Sequence, residues 1–89
     1  MIRASHILVE HKQQAEVIKQ ILDNGSDFAT IAFICSRCPS GVQAGGDLGE
    51  FDKGQMVPEF EEAAHATEVG QISDIVQTQF GFHIIKRTA

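Results

Sequence analysis

Residues 2–9 read IRASHILV, an apolar and β-branched stretch that predicts the first strand of the fold. Because the side chains of a strand alternate between its two faces, His6 is expected to share a face with Ala4 and Leu8. A similar stretch, FHIIKRT at residues 82–88, predicts a second strand. We expect the two strands to pair, which would bring His6 and His83 close together. Two neighbouring imidazoles disfavour each other's charge, so the pair is expected to be neutral.

Between these two strands, the spacing of the apolar residues changes to the spacing that is typical of helices. A first helix is predicted from about residue 11 to the stop signal Asn24-Gly25, with a buried face of Ala15, Ile18, Ile21 and Leu22. Asp27 is expected to cap a second helix, whose apolar face carries Phe28, Ile31, Ala32 and Cys35. Pro58 suits the first position of a third helix, whose buried face carries Phe60, Ala63 and Ala64.

The remaining strands are predicted to be short. Residues 48–51 form one of them, and residues 71–78 form a hairpin with the last strand through a loop around residues 79–81. The order strand, helix, helix, strand, helix, strand, strand indicates an α+β fold, with helices covering one small sheet. The 89 residues have room for one domain, so we expect residues 1–89 to form a single, monomeric unit.

The composition excludes several classes of function. Twelve acidic and seven basic residues give a formal net charge of −5, which argues against nucleic acid as a partner. No apolar run reaches the roughly 18–20 residues that cross a bilayer, so no stable membrane insertion is expected. The first residues do not resemble a signal peptide, and two cysteines are too few for a disulfide scaffold. We therefore expect a cytoplasmic protein.

A long irregular segment, CPSGVQAGGDLGEFDKGQMVP at residues 38–58, carries five of the eight glycines and both prolines. A segment of this length is uncommon in a compact domain and is usually functional.

Three chemistries are open to Cys35 and Cys38, which have the spacing C-x-x-C. A redox dithiol needs a helix that starts at the first cysteine, whereas Cys35 ends the second helix on its apolar face, so this alternative is disfavoured. Zinc would need two more ligands, such as His6 and His83, at a spacing that no standard zinc module has. Cys38 with a histidine is also compatible with a nucleophile and its base.

Four blocks of sequence resemble one known family. They are HILV (6–9), GGDLGEF (45–51), KGQMVPEFEEA (53–63) and TQFGFHIIK (78–86), and they strongly resemble the parvulin family of peptidyl-prolyl cis/trans isomerases. The match runs from residue 6 to residue 87. The resemblance implies a four-stranded antiparallel sheet wrapped by helices, and catalysis of rotation about the bond preceding proline in polypeptide substrates. It implies no metal and no cofactor.

The resemblance also implies roles for individual residues. The polar, catalytic set comprises His6, His83, Cys38, Thr78 and Ser36. Cys38 matches a position that is cysteine in some parvulins and aspartate in others, so a hydrogen-bonding role is favoured over a covalent one. The apolar pocket for the proline ring comprises Leu48, Met56 and Phe60, with Phe80 at its rim. Cys35 matches no functional position, which favours a role in helix packing.

The substrate is expected to be unphosphorylated. One branch of the family recognises phosphorylated Ser/Thr-Pro through a cluster of Lys and Arg between the first strand and the first helix. Here residues 10–14 read EHKQQ, with one lysine next to an acidic residue. An uncharged or apolar residue is expected before the proline.

Two alternatives belong to other functional classes. Some parvulin-like domains bind proline-containing chains as chaperones and catalyse little. The other alternative is a thiol oxidoreductase that uses Cys35 and Cys38. Prolyl isomerase activity would distinguish the expected isomerase from a module that only binds. A titratable low-potential disulfide would identify the oxidoreductase.

Overall fold

The computed structural model describes residues 2–35, 46–52 and 54–89. Within them the elements are β1 (Ile2–Val9), α1 (Lys12–Asp23), α2 (Phe28–Cys35), β2 (Asp47–Phe51), α3 (Pro58–Ala66), β3 (Val76–Thr78) and β4 (Gly81–Arg87). The strands form one antiparallel sheet in the order β2-β1-β4-β3. The predicted α+β fold and its element order are confirmed. None of the helices in these ranges combines the length and the apolar character needed to cross a bilayer.

The first and last strands lie side by side at the centre of the sheet. Six residue pairs join β1 to β4, among them Ile7 opposite Ile84 and Leu8 opposite His83. The two isoleucines of this pair are fully buried. His6 lies two residues from Leu8 and therefore on its face, so His6 and His83 are diagonal neighbours across the two strands.

Each face of the sheet carries its own apolar cluster. The helix-pair core joins the sheet to α1 and α2, and it contains Ile7, Val9, Ala15, Ile18, Leu22, Phe28, Ala32 and Ile84. The α3-side core joins the opposite face to α3, and it contains Ile2, Ala4, Phe51, Phe60, Ala64 and Ile85. The alternation of β1 explains the division, because Ile7 and Val9 point to one face and Ala4 and His6 to the other.

Local signals place the helix ends where the sequence predicts them. The α1 helix ends before Gly25, whose φ of 103° is in the region that glycine adopts readily. Asp27 caps α2 by accepting hydrogen bonds from the backbone N–H and the hydroxyl of Thr30, at 3.0 and 2.8 Å. Pro58 occupies the first turn of α3.

Cys35 does not pack into the core, contrary to the prediction. It is an exposed free thiol at the end of α2. Phe33 and Ile34 beside it are 61% and 69% exposed. The last turn of α2 therefore extends past the buried residues of the helix-pair core.

The hairpin strand β3 is shorter than predicted. Ile72 bridges to Lys86, while Val76 pairs with His83. Four steps along one strand thus oppose three along the other, so one extra residue forms a bulge. Ser73 still faces Ile85: its N–H donates to the Ile85 carbonyl at 2.7 Å, and its hydroxyl accepts a hydrogen bond from the Ile85 N–H at 3.0 Å. The extra residue therefore lies between Ser73 and Val76.

The backbone conformation and surroundings of Gly81 leave no room for a side chain, and Gly81→Ala tests this. Its φ is 138°, and an added Cβ would lie 2.5 Å from the backbone oxygen of Val9. Gly70 is a matched control, because its φ is 86° but a Cβ there meets no atom within 4 Å. We expect Gly70→Ala to cost about 1 kcal/mol of unfolding free energy and Gly81→Ala about 3 kcal/mol. Urea unfolding of both variants checks this, and equal costs would contradict the steric argument.

Candidate active site

His6 and His83 meet inside the protein, as their strands predict. Their Nδ1 atoms are 3.0 Å apart, a hydrogen-bond distance, and their ring centroids are 5.1 Å apart. Both side chains are buried, with 5% and 4% of their surface exposed. Since each neutral imidazole has one N–H, one ring donates in this contact and the other accepts.

Thr78 extends the contact into a chain of hydrogen bonds. Its Oγ1 lies 2.7 Å from His83 Nε2 and accepts a hydrogen bond from the Phe80 N–H at 3.2 Å. The Thr78 hydroxyl can donate to His83 Nε2 or accept from it, because its oxygen has two lone pairs and one proton. If it donates, His83 Nδ1–H donates to His6 Nδ1, and if it accepts, His6 Nδ1–H donates to His83 Nδ1. The remaining ring nitrogen, His6 Nε2, is buried and has no hydrogen-bond partner among the described residues.

Burial keeps both rings neutral. It lowers the pKa of His6 to about 4, with a further contribution from the neighbouring His83. Burial also lowers the pKa of His83. At neutral pH the site therefore offers neutral donors and acceptors, and proton transfer by an imidazolium is disfavoured.

An aromatic ring joins the histidines to the α3-side core. Phe60 is 3% exposed, and its ring meets His6 and His83 edge-on, with centroid distances of 5.5 and 5.4 Å. Leu48 and Met56, the other predicted pocket residues, are half-buried and pack against the same core. The three apolar candidates therefore share one cluster, and this cluster adjoins the polar pair.

Phe80 and the remaining candidates have different positions. The Phe80 side chain is 61% exposed next to Thr78, in the turn between β3 and β4. A cavity of about 510 Å³ opens beside Thr78. Ser36 and Cys38, which complete the predicted polar set, lie outside the described residues.

Two supporting residues escaped the sequence analysis. Phe51 is 2% exposed and packs against Phe60 with a centroid distance of 6.1 Å. The Gly46 carbonyl accepts a hydrogen bond from the His6 N–H at 2.9 Å, and a Cβ at Gly46 would lie 2.5 Å from the His6 carbonyl oxygen. Strand alternation could have identified Phe51 as buried. The Gly46 contact depends on how β2 approaches β1, for which the sequence has no local signal.

The described residues do not form a metal centre. No group of three or more His, Cys, Asp and Glu side chains lies close enough together there to hold an ion. The arrangement instead combines neutral hydrogen-bonding groups with a water-poor apolar cluster. Such a combination suits an uncharged polar group of a substrate, such as an amide, more than it suits an ion.

Comparison with known proteins identifies the family. Residues 6–89 match the family described as Rotamase, PPIC-type PPIASE domain. The foldase protein PrsA of Geobacillus sp. (strain WCH70) is 55% identical over 87 residues, which cover 98% of this chain and 32% of that protein. This chain thus spans about a third of the length of that curated relative.

Solved structures agree with this assignment. The crystal structure of the peptidylprolyl isomerase PrsA from Bacillus anthracis has a TM-score of 0.96 and 49% identity, over 99% of this chain and 41% of that one. The solution structure of NmPin, the parvulin of Nitrosopumilus maritimus, has a TM-score of 0.87 and 40% identity, over 99% of this chain and 95% of that one. The chain belongs to the parvulin family of PPIC-type peptidyl-prolyl isomerases, as its motifs predicted.

Proposed function

We propose that this domain catalyses cis/trans isomerisation of X-Pro bonds in unphosphorylated polypeptides and thereby assists their folding. The observation that carries the proposal is the neutral His6–His83 pair, whose Nδ1 atoms are 3.0 Å apart beside the apolar core around Phe60. Leu48, Met56 and Phe60 anchor the prolyl ring, and the polar network that includes Thr78 acts on the rotating amide.

The physical demands of the reaction match this arrangement. Rotation about an amide costs roughly 18–20 kcal/mol because it breaks the conjugation between nitrogen and carbonyl. No covalent bond has to form or break. An apolar environment disfavours the planar, charge-separated resonance form, and it fixes the ring while the carbonyl turns.

The neutral state of the histidines fits the same reaction. A charged imidazolium beside the carbonyl oxygen would stabilise the charge-separated planar amide, which is the ground state. Neutral groups such as Thr78 and His83 can orient the substrate amide through hydrogen bonds without the strong ground-state stabilisation that a charged group would cause. The network therefore supports a positioning role in which no proton is transferred to the substrate.

The decisive experiment is a prolyl isomerisation assay on proline-containing tetrapeptides with the purified domain. We expect the domain to accelerate isomerisation in proportion to its concentration. A chaperone-like module that only binds proline-containing chains is the alternative, and it would leave the isomerisation rate unchanged at micromolar protein. The cytoplasmic location, the single-domain organisation and the monomeric state stay predictions.

Cys38 is proposed to act through hydrogen bonding, and two substitutions test this. Cys38→Asp should retain substantial activity, because a carboxylate is an alternative hydrogen-bonding partner. Cys38→Ala should lose about five- to tenfold in kcat/KM, the equivalent of one hydrogen bond of about 1 kcal/mol. Near-complete loss in both variants, or a covalent substrate adduct in mass spectrometry, would identify a nucleophile instead.

Phosphorylation of the substrate is not expected to raise kcat/KM. Only Glu10 and His11 separate β1 from α1, and Lys12 begins the helix, so the connection carries no basic cluster. A phosphate with a charge of roughly −1.5 to −2 would meet the Glu10 carboxylate and a protein of net charge −5. We expect kcat/KM for a phosphoserine-Pro peptide to be equal to or below that for Ser-Pro. Leu-Pro and Glu-Pro peptides separate side-chain polarity from charge, and a tenfold preference for phosphoserine would contradict the proposal.

A further inference from the structure

The cavity beside Thr78 is the starting point for an inference about substrate choice. Its volume is about 510 Å³, and it lies between the start of α3 and the turn that follows β3. The lining residues are Val57, Pro58, Glu59, Gln77, Thr78 and Gln79. Because Thr78 is also the hydroxyl that contacts His83 at 2.7 Å, the cavity adjoins the candidate active site. A polypeptide held at the histidine pair therefore has its flanking residues next to this cavity.

Glu59 alone carries a charge among the described residues that line the cavity. Its side chain is exposed, and it takes part in no ion pair within the described part of the chain. The position in the first turn of α3 favours a negative charge, because the helix dipole is positive there. The two glutamines offer hydrogen bonds to substrates of any charge. Selection by charge in this cavity therefore depends on Glu59.

We propose that Glu59 is a specificity-determining residue that favours a lysine or arginine side chain close to the substrate proline. The inference rests on the proposed isomerase function and adds a substrate class to it. A carboxylate on a solvent-open rim attracts a cation weakly and is screened by salt. A preference of about two- to fivefold is the corresponding size. The cation occupies a position near the proline, while the residue directly before proline remains apolar.

The experiment uses a set of hexapeptides that share a central Leu-Pro. Lys, Gln or Glu is placed in turn at each of the two positions before Leu and the two positions after Pro. Isomerisation is followed by NMR exchange spectroscopy, since a coupling protease would itself respond to the added lysine. The measured quantity is the ratio of kcat/KM for the Lys and Gln peptides at each position.

Two variants separate the role of Glu59 from that of net charge. Glu59→Gln removes the carboxylate in the cavity. Glu62→Gln is the matched control, because Glu62 is an exposed residue of the same helix that lines a different cavity, with Gly54 and His65. Both variants change the net charge by one.

We expect the parent domain to favour Lys over Gln about two- to fivefold at one position or more, and to disfavour Glu there. The ratio of kcat/KM for the Lys and Gln peptides should fall to about one in Glu59→Gln and in 0.5 M salt, and it should keep its parental value in Glu62→Gln. A ratio near one at every position in the parent would overturn the inference and leave the isomerase function intact. So would a preference that survives Glu59→Gln or falls equally in Glu62→Gln. Uncatalysed rates on all peptides would instead overturn the proposed function itself.

Discussion

Truncation of Phe60 to alanine is expected to lower the free energy of unfolding by about 3–5 kcal/mol. The side chain is 3% exposed and contacts Phe51 and both histidines, so its removal leaves a cavity that the sheet cannot close. The total free energy of unfolding of a small domain is only about 5–15 kcal/mol, so the variant should be close to unfolding at physiological temperature. Urea unfolding monitored by circular dichroism measures the loss.

Met56→Ala provides the comparison that separates stability from catalysis. Met56 is half-buried and packs on the edge of the α3-side core. Its truncation should cost about 1 kcal/mol of stability but about ten- to a hundredfold in kcat/KM, because the prolyl ring loses an apolar wall. Phe60→Leu keeps most of the volume and removes the aromatic edges. A folded Met56→Ala and a folded Phe60→Leu that both isomerise at the parental rate would refute the pocket assignment.

The Phe60 substitutions also illustrate what the sequence can predict. The helical spacing of Phe60, Ala63 and Ala64 was enough to place one face of α3 against the sheet, and Phe60 and Ala64 are buried as expected. The spacing contains no information about which residues of the sheet face the ring. The contact with Phe51 depends on the approach of β2 to β1, a tertiary feature.

The histidine pair was predictable for a different reason. Two strands with strict alternation, placed first and last, put His6 and His83 on one face once the strands pair. The register of β1 against β4 then decides the distance, and a slip of one residue would have moved one ring to the other face. The 3.0 Å contact thus depends on alternation, which is visible in the sequence, and on register, which is set by packing.

Two predictions were wrong or incomplete because they concern where regular packing and pairing end, which the local sequence pattern does not show. The period of α2 continues to Cys35, but the helix-pair core ends earlier, so the thiol is exposed. The bulge between Ser73 and Val76 adds one residue to a strand whose composition resembles that of a regular strand. A bulge of this kind changes pairing without changing the local pattern of apolar residues.

Acidification from pH 7 to pH 5 is expected to destabilise the domain, and the histidine pair is the reason. In the unfolded chain His6 takes up a proton around pH 6.5, whereas burial lowers its pKa in the folded domain to about 4. Between these values the unfolded state binds more protons, so stability falls as the pH falls. His6 alone should account for about 2 kcal/mol between pH 7 and pH 5, and the lowered pKa of His83 acts in the same direction.

The carboxylates act at lower pH and can therefore be separated from this effect. The pKa of Asp27 is lowered chiefly by its hydrogen bond from the Thr30 hydroxyl, and that of Asp47 by the Arg3 side chain. A carboxylate with a lowered pKa contributes stability that is fully present above its ordinary pKa and is lost only as the pH falls below that value towards the lowered one. The window from pH 7 to pH 5 therefore reports on histidines.

A double-mutant cycle tests whether the two rings act as a unit. Each single variant, His6→Asn or His83→Asn, leaves a buried ring nitrogen without its partner and should cost about 1–3 kcal/mol. The double variant should cost less than the sum, by about 0.5–3 kcal/mol of coupling, and its unfolding free energy should be nearly constant from pH 7 to pH 5. His65→Asn is the control, because His65 is exposed on α3 and its loss should leave the parental pH dependence in place. Strict additivity would mean that the two rings do not interact. A parental pH dependence in the double variant would mean that the buried histidine pair is not its source.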